Sequence, residues 1–216
     1  MNLLIWLIIV CSAIAASLIS FIILKREQLP NFKQIFTSFD LVFILAIFFM
    51  LVIPIYFNVR NYERFDLLVL LRWNILLFFG YVISVEDFKR KRIPNEFVLG
   101  MIAVWTIFAV PQLFIDTDAG VAYLVKSILG FLVGGGLFLF VYLISKQGLG
   151  GGDVKFMAAA GLYLGLNGVL PVILYGSVLS ALVGITLILL KRIERKDAMP
   201  LAPFLYIGII VTVFVL

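Results

Sequence analysis

Histidine is absent from the 216 residues of this chain, and cysteine occurs once, as Cys11. These absences exclude Ser-His-Asp and Cys-His nucleophile sites, HExxH zinc sites, imidazole proton relays, a disulfide within the chain and a Cys-based zinc site. Charge is scarce too. Only 13% of residues are charged and 64% are hydrophobic, against roughly 25% and roughly 45–50% in soluble domains. With a mean hydropathy of +1.19, the composition predicts an all-α, polytopic membrane protein. Any chemistry must come from carboxylates, lysines, hydroxyls or backbone groups.

A helix that crosses a bilayer needs about 20 mostly apolar residues. Such stretches lie at Leu3–Leu24, Leu41–Phe57, Leu67–Val85, Phe97–Phe114 and Val121–Ile144, then at a short Phe156–Leu166, at Val169–Leu190 and at Leu201–Leu216. About eight spans are therefore expected. The sixth is too short for a straight crossing, so it must be tilted, locally thin or extended into its flanking glycine loop. No stretch is long and polar enough to form a separate soluble domain. Residues 1–66 are expected to form a two-span region with a short cytoplasmic loop, and residues 67–216 a membrane domain.

Most of the 17 basic residues fall in alternate loops. They are Lys25, Arg26 and Lys33, then Lys89 to Arg92, then Lys146 and Lys155, then Lys191, Arg192, Arg195 and Lys196. By the positive-inside rule these loops are cytoplasmic, and both termini face outward. The alternation holds only if the short sixth span is counted. The net charge of +5 thus reflects topology and contact with anionic lipid, with no nucleic-acid surface implied. The first span lacks a basic n-region and is too long for a signal-peptide core, so it reads as an uncleaved span with Cys11 as a small buried residue.

Most acidic residues have an ordinary explanation. Asp40, Glu63, Asp66, Asp116 and Asp118 lie at span ends, and Glu27, Glu194 and Asp197 lie among basic loop residues. Asp87 and Asp153 differ. Asp87 follows the apolar run Val82-Ile83-Ser84-Val85 at the cytoplasmic end of the third span; Asp153 follows Gly150-Gly151-Gly152 at the entrance to the sixth. Both belong at one depth on one face, where a charged carboxylate is costly and points to function. Two carboxylates brought together there share a proton, so that one serves as base and the other as acid. The three glycines leave room for an extended peptide to approach the main chain. The alternative is that each Asp caps a helix or pairs with a nearby Lys.

Other residues carry weaker arguments. Glu86 points about 100° away from Asp87 on a helix, so pairing with Lys89 or Arg90 is expected. Lys155 either orients a peptide carbonyl or biases the proton on Asp153, or else snorkels as a cytoplasmic anchor. Pro94 and Asn95 read as a break that restarts the chain into the fourth span, with Asn95 as its cap. Pro203 would bend the last span toward the site. The Gly130–Gly134 and Gly161–Gly165 spacings suit helix packing within the chain.

At these residues the sequence resembles a known family. Glu86-Asp87-Phe88-Lys89-Arg90-Lys91-Arg92-Ile93-Pro94-Asn95 looks like the first signature of type IV prepilin peptidases, in which an Asp ends a span and a basic segment leads to Ile-Pro-Asn or Ile-Pro-Asp. The run from Gly148 through Gly150-Gly151-Gly152-Asp153-Val154-Lys155 to Ala159 looks like the second, a GxGD motif. Met199-Pro200-Leu201-Ala202-Pro203-Phe204-Leu205 resembles the family's Pro-Phe-Gly-Pro-Phe segment, with Leu-Ala in place of Phe-Gly.

The resemblance covers roughly residues 70–216. It implies that Asp87 and Asp153 are the catalytic pair of an aspartic endopeptidase with no cofactor. It further implies that prepilins or pilin-like precursors are its substrates, cut at the cytoplasmic face between a basic leader and an apolar helix. The Cys-rich cytoplasmic domain of longer members is replaced here by the stretch from Lys25 to Asp40, so a peptidase without methyltransferase activity, S-adenosylmethionine or zinc is expected. Two other classes remain open on the residues themselves. A small transporter would use the carboxylates to bind a cation, and a catalytically silent assembly factor would tolerate their loss.

Overall fold

The computed structural model describes residues 67–145, 148–192, 194 and 199–215. All of the regular structure among them is helical. α1 is Leu67–Arg90, α2 Asn95–Ile115, α3 Thr117–Ile144, α4 Gly151–Leu189 and α5 Ala202–Val215. The first four are long and apolar enough to cross a membrane, whereas α5 is shorter, at 14 residues. The two spans expected before residue 67, Cys11 and the loop from Lys25 to Asp40 lie outside the described residues. The chain divides into two compact units, Met1–Val82 and Ile83–Leu216. In the first, described from residue 67, Leu70, Trp73, Leu76, Leu77 and Tyr81 are buried along α1. The second holds all that follows.

α1 runs five residues past its predicted end at Val85 and carries Lys89 and Arg90 in its last turn, where the helix dipole favours cations. It stops at Lys91, whose φ of 51° is left-handed and whose N–H closes on the Asp87 carbonyl at 2.7 Å. Ile93 is buried, and Pro94 enters α2 in the extended conformation (φ −64°, ψ 137°). Between α2 and α3, Asp116 Oδ1 accepts from the Ala119 N–H at 3.0 Å as the N-cap of α3.

α4 is 39 residues long, and it is not straight. Gly165 has φ 65° and ψ −175°, a conformation essentially reserved for glycine. A Cβ built on Gly134 of α3 would lie 2.7 Å from Met157 O and 2.8 Å from a Val169 methyl. In a straight helix Met157 and Val169 would be roughly 18 Å apart along the axis. The chain therefore doubles back at Gly165 into two arms, 151–164 and 166–189, which correspond to the predicted sixth and seventh spans. The loop expected between them reduces to a single glycine.

The first arm is the centre of this unit. Every residue from Phe156 to Leu164 is buried, which explains why it is apolar on all sides. Tyr163 on it donates to Met101 O of α2 at 2.6 Å. Gly130 of α3 abuts Gly161 and Gly165, so backbones meet directly, and the two glycine pairs pack within the chain as expected. α5 packs on the second arm: a Cβ on Gly208 would lie 2.7 Å from Val172 O, and one on Gly176 would lie 2.9 Å from Leu205. The outward faces carry exposed apolar side chains such as Phe114, Leu137, Phe140, Leu174 and Leu182, the pattern of lipid-facing surface.

Candidate active site

The last turn of α1, the first turn of α4 and the start of α5 meet at two carboxylates. Asp87 and Asp153 are only 6% and 7% exposed, respectively. Asp87 lies within electrostatic reach of the Asp153 carboxylate, so residues far apart in the chain come to one region of the fold.

Asp87 is held from α5. The N–H groups of a helix's first turn have no partner within the helix. Pro203 has no N–H, and those of Phe204 and Leu205 go to Leu201 O at 3.0 and 3.1 Å. The N–H groups of Leu201 and Ala202 are left to serve Asp87. Ala202 N–H donates to Asp87 Oδ2 at 3.1 Å, and the Leu201 backbone also engages the carboxylate. Pro203 thus sits in the first turn of α5, where a missing N–H does no harm. It starts the helix; it does not bend it.

Asp153 is the third residue of α4, counted from the N-cap Gly150. Its own N–H donates to Gly150 O at 3.1 Å, and its carboxylate engages the Gly150 backbone in return, a reciprocal capping arrangement. Oδ1 of Asp153 is buried with no hydrogen-bond partner. Both carboxylates therefore act at helix N-termini, so a capping role and a shared site are compatible in this geometry.

The three glycines differ in their surroundings. A Cβ on Gly150 would lie 2.9 Å from Asp153 Oδ2, and one on Gly152 would lie 2.9 Å from Ile93 Cβ. Gly151 has only Tyr142 near it, at 3.9 Å. The chain's own atoms occupy the space beside Gly150 and Gly152. Buried Glu86 pairs with Arg90 (Nε to Oε2, 3.2 Å), as its helix position predicted.

Asn95 corrects one expectation. The N-cap of α2 is Pro94, which has no side-chain cap bond. Asn95 is instead the first helical residue, and its Oδ1 accepts from Lys155 Nζ at 3.0 Å. Lys155 and Asn95 are both exposed, and their bond runs between α2 and the first arm of α4. They stand at an apolar cavity of about 660 Å3 lined by Val98, Leu99, Phe131 and Leu139 among others.

Sequence reasoning did not single out Ser84. Its Oγ donates to Ala202 O at 3.1 Å in a buried setting. Its position three residues before Asp87, on the same helical face, is the signal that was there to find. Among the described residues, no three His, Cys, Asp or Glu side chains gather into a group able to hold a metal ion.

A sequence model of the type IV leader peptidase family matches residues 74–185, a stretch that contains both Asp87 and Asp153. A relative from Xanthomonas campestris pv. campestris is 29% identical over 139 residues, covering 62% of this chain and 46% of its own. One from Pectobacterium carotovorum subsp. carotovorum is 34% identical over 142 residues, covering 62% and 47%. One from Bacillus subtilis (strain 168) is 26% identical over 127 residues, covering 59% and 48%. Each is named a prepilin leader peptidase/N-methyltransferase. The chain spans about half the length of the curated relatives it matches. No solved structure matches it.

Proposed function

From the premise that the chain belongs to the type IV leader peptidase family, we propose that it is a membrane aspartic endopeptidase. In this reading it removes the leader peptide from type IV prepilins or pilin-like precursors, with Asp87 and Asp153 as its catalytic pair. The observation that carries the proposal is that two buried carboxylates from separate helix ends lie within electrostatic reach of one another inside the matched region.

Close carboxylates in a low-dielectric site hold one proton between them. The ionised one takes a proton from water as the water oxygen attacks the scissile carbonyl carbon. The protonated one donates to the carbonyl oxygen, giving a neutral tetrahedral diol. On breakdown, the diol hydroxyl returns its proton to the second carboxylate and the first protonates the departing amine. The peptide bond is broken, one water is consumed and the pair regains its starting proton count.

Lys89, Lys91 and Arg92 cluster where α1 ends beside Asp87, and Lys155 follows Asp153 by two residues. This clustering supports a cytoplasmic site and contact with anionic lipid. The transporter alternative calls for acidic residues near the middle of a span, whereas both aspartates lie within a turn of a helix end. Gly150, Gly151, Gly152, Pro94, Asn95 and Lys155 frame the pair and are read as its supporting residues. The proposal is tested by incubating the full chain in lipid nanodiscs with a prepilin bearing a basic leader, then sequencing the product's N-terminus. A new N-terminus at the start of the apolar helix supports it; an intact precursor across several such substrates sinks it.

A further inference from the structure

Serine in an apolar helix ordinarily returns its hydroxyl to the carbonyl one turn back. The Ser84 hydroxyl reaches another helix, donating to Ala202 O, 118 residues away, at 3.1 Å in a buried site. The N–H of the same Ala202 donates to Asp87 Oδ2 at 3.1 Å. Ser84 and Asp87 are three residues apart on one face of α1, so a single face of the helix grips both polar groups of one residue. Fixing the N–H and the C=O of Ala202 fixes the two peptide planes that meet at its Cα. That orientation aims the N–H at Asp87, and Pro203 next in sequence offers no substitute donor. The carbonyl has a second lone pair for the hydroxyl while its other serves α5.

We propose that Ser84 is a positioning residue for the peptidase reaction: through Ala202 it locks Oδ2 of Asp87 and so fixes the orientation in which that carboxylate works. The proposal rests on the peptidase reading above. It assigns to Ser84 no contact with substrate.

The test compares wild type, Ser84→Ala and Ser84→Thr, each as the full chain in nanodiscs, on a cleavable prepilin. A misaimed carboxylate slows the chemical step without changing how substrate binds. Ser84→Ala is expected to lower kcat about tenfold with KM unchanged, and Ser84→Thr, which keeps the hydroxyl, to restore it to within about threefold. A purely structural role would move folded yield or KM and would not be rescued selectively in kcat. Unchanged kcat in Ser84→Ala, or a loss in which KM rises equally, overturns the proposal.

A second readout does not depend on turnover. Deuterium exchange at the amides of Leu201 and Ala202 is expected to quicken at least tenfold in Ser84→Ala and to stay slow in Ser84→Thr. Equal exchange in wild type and Ser84→Ala overturns the clamp. If wild type cuts no prepilin, the peptidase reading fails, and exchange still decides whether the clamp exists.

Discussion

Asp87 Oδ2 and the Ala202 N–H, 115 residues apart in the chain, are joined by a buried 3.1 Å hydrogen bond. The bond makes the carboxylate at the end of one helix the cap of another. Helix N-termini favour anions and need acceptors, so the same contact that satisfies α5 also holds Asp87 within electrostatic reach of Asp153. Architecture and candidate chemistry meet in one interaction.

Gly152 and Gly151 should respond oppositely to an added methyl. Gly152→Ala drives a Cβ to 2.9 Å from Ile93 Cβ, whereas Gly151→Ala meets only a ring edge at 3.9 Å. The first is expected to destabilise by about 1–3 kcal/mol and the second to be nearly neutral. Thermal melting of the two variants in detergent checks this.

The backbone contact between α3 and α4 leaves no room at Gly130, while Gly136 has nothing within 4 Å. Gly130→Ala is expected to cost about 2–4 kcal/mol and to lower the yield of folded protein. Gly136→Ala, on an open helix face, should be neutral or stabilising by up to about 1 kcal/mol. Size-exclusion profiles and melting midpoints of the pair separate the two outcomes.

Gly165 carries the reversal of α4 at φ 65° and ψ −175°. Gly165→Ala should therefore strain the turn by about 1–3 kcal/mol, although a side chain there has 3.5 Å to its nearest neighbour. A melting midpoint that does not move would mean that the two arms are not held by this residue.

The Lys155–Asn95 bond is exposed, and such pairs contribute little. Lys155→Met and Asn95→Ala are each expected to change stability by less than about 1 kcal/mol, and the double variant should be no worse than their sum. A larger coupling in a double-mutant cycle of melting would make the bond a structural tie between α2 and α4.

Much of this was legible in the sequence because apolar length and punctuation dictate helices in a membrane. The predicted limits of the described spans lie within a few residues of α2 and α5 and of the second arm of α4. Asp87 and Asp153 stood out because a carboxylate beside an apolar run needs a reason, and the Glu86–Arg90 pair followed from helical spacing. What stayed hidden depended on tertiary contact. No local pattern says that Ser84 reaches Ala202, that Asn95 yields the cap to Pro94 and binds Lys155, or that one glycine suffices to turn α4 back. The last was masked by continuous hydropathy on both sides of Gly165, which reads as a short span and then a full one. The two spans expected before residue 67 and the stretch from Lys25 to Asp40 lie outside the described residues.

The most direct test of the central claim is co-expression of wild type, Asp87→Asn and Asp153→Asn with a prepilin carrying a Gly–Phe junction. Processing is followed by mobility and N-terminal sequencing. Asn keeps the shape and removes the proton-transfer group, so each variant should insert and fold yet lose cleavage by at least about 10²-fold. Wild type should cut at the junction. Cleavage that persists in either variant would contradict the paired-aspartate account.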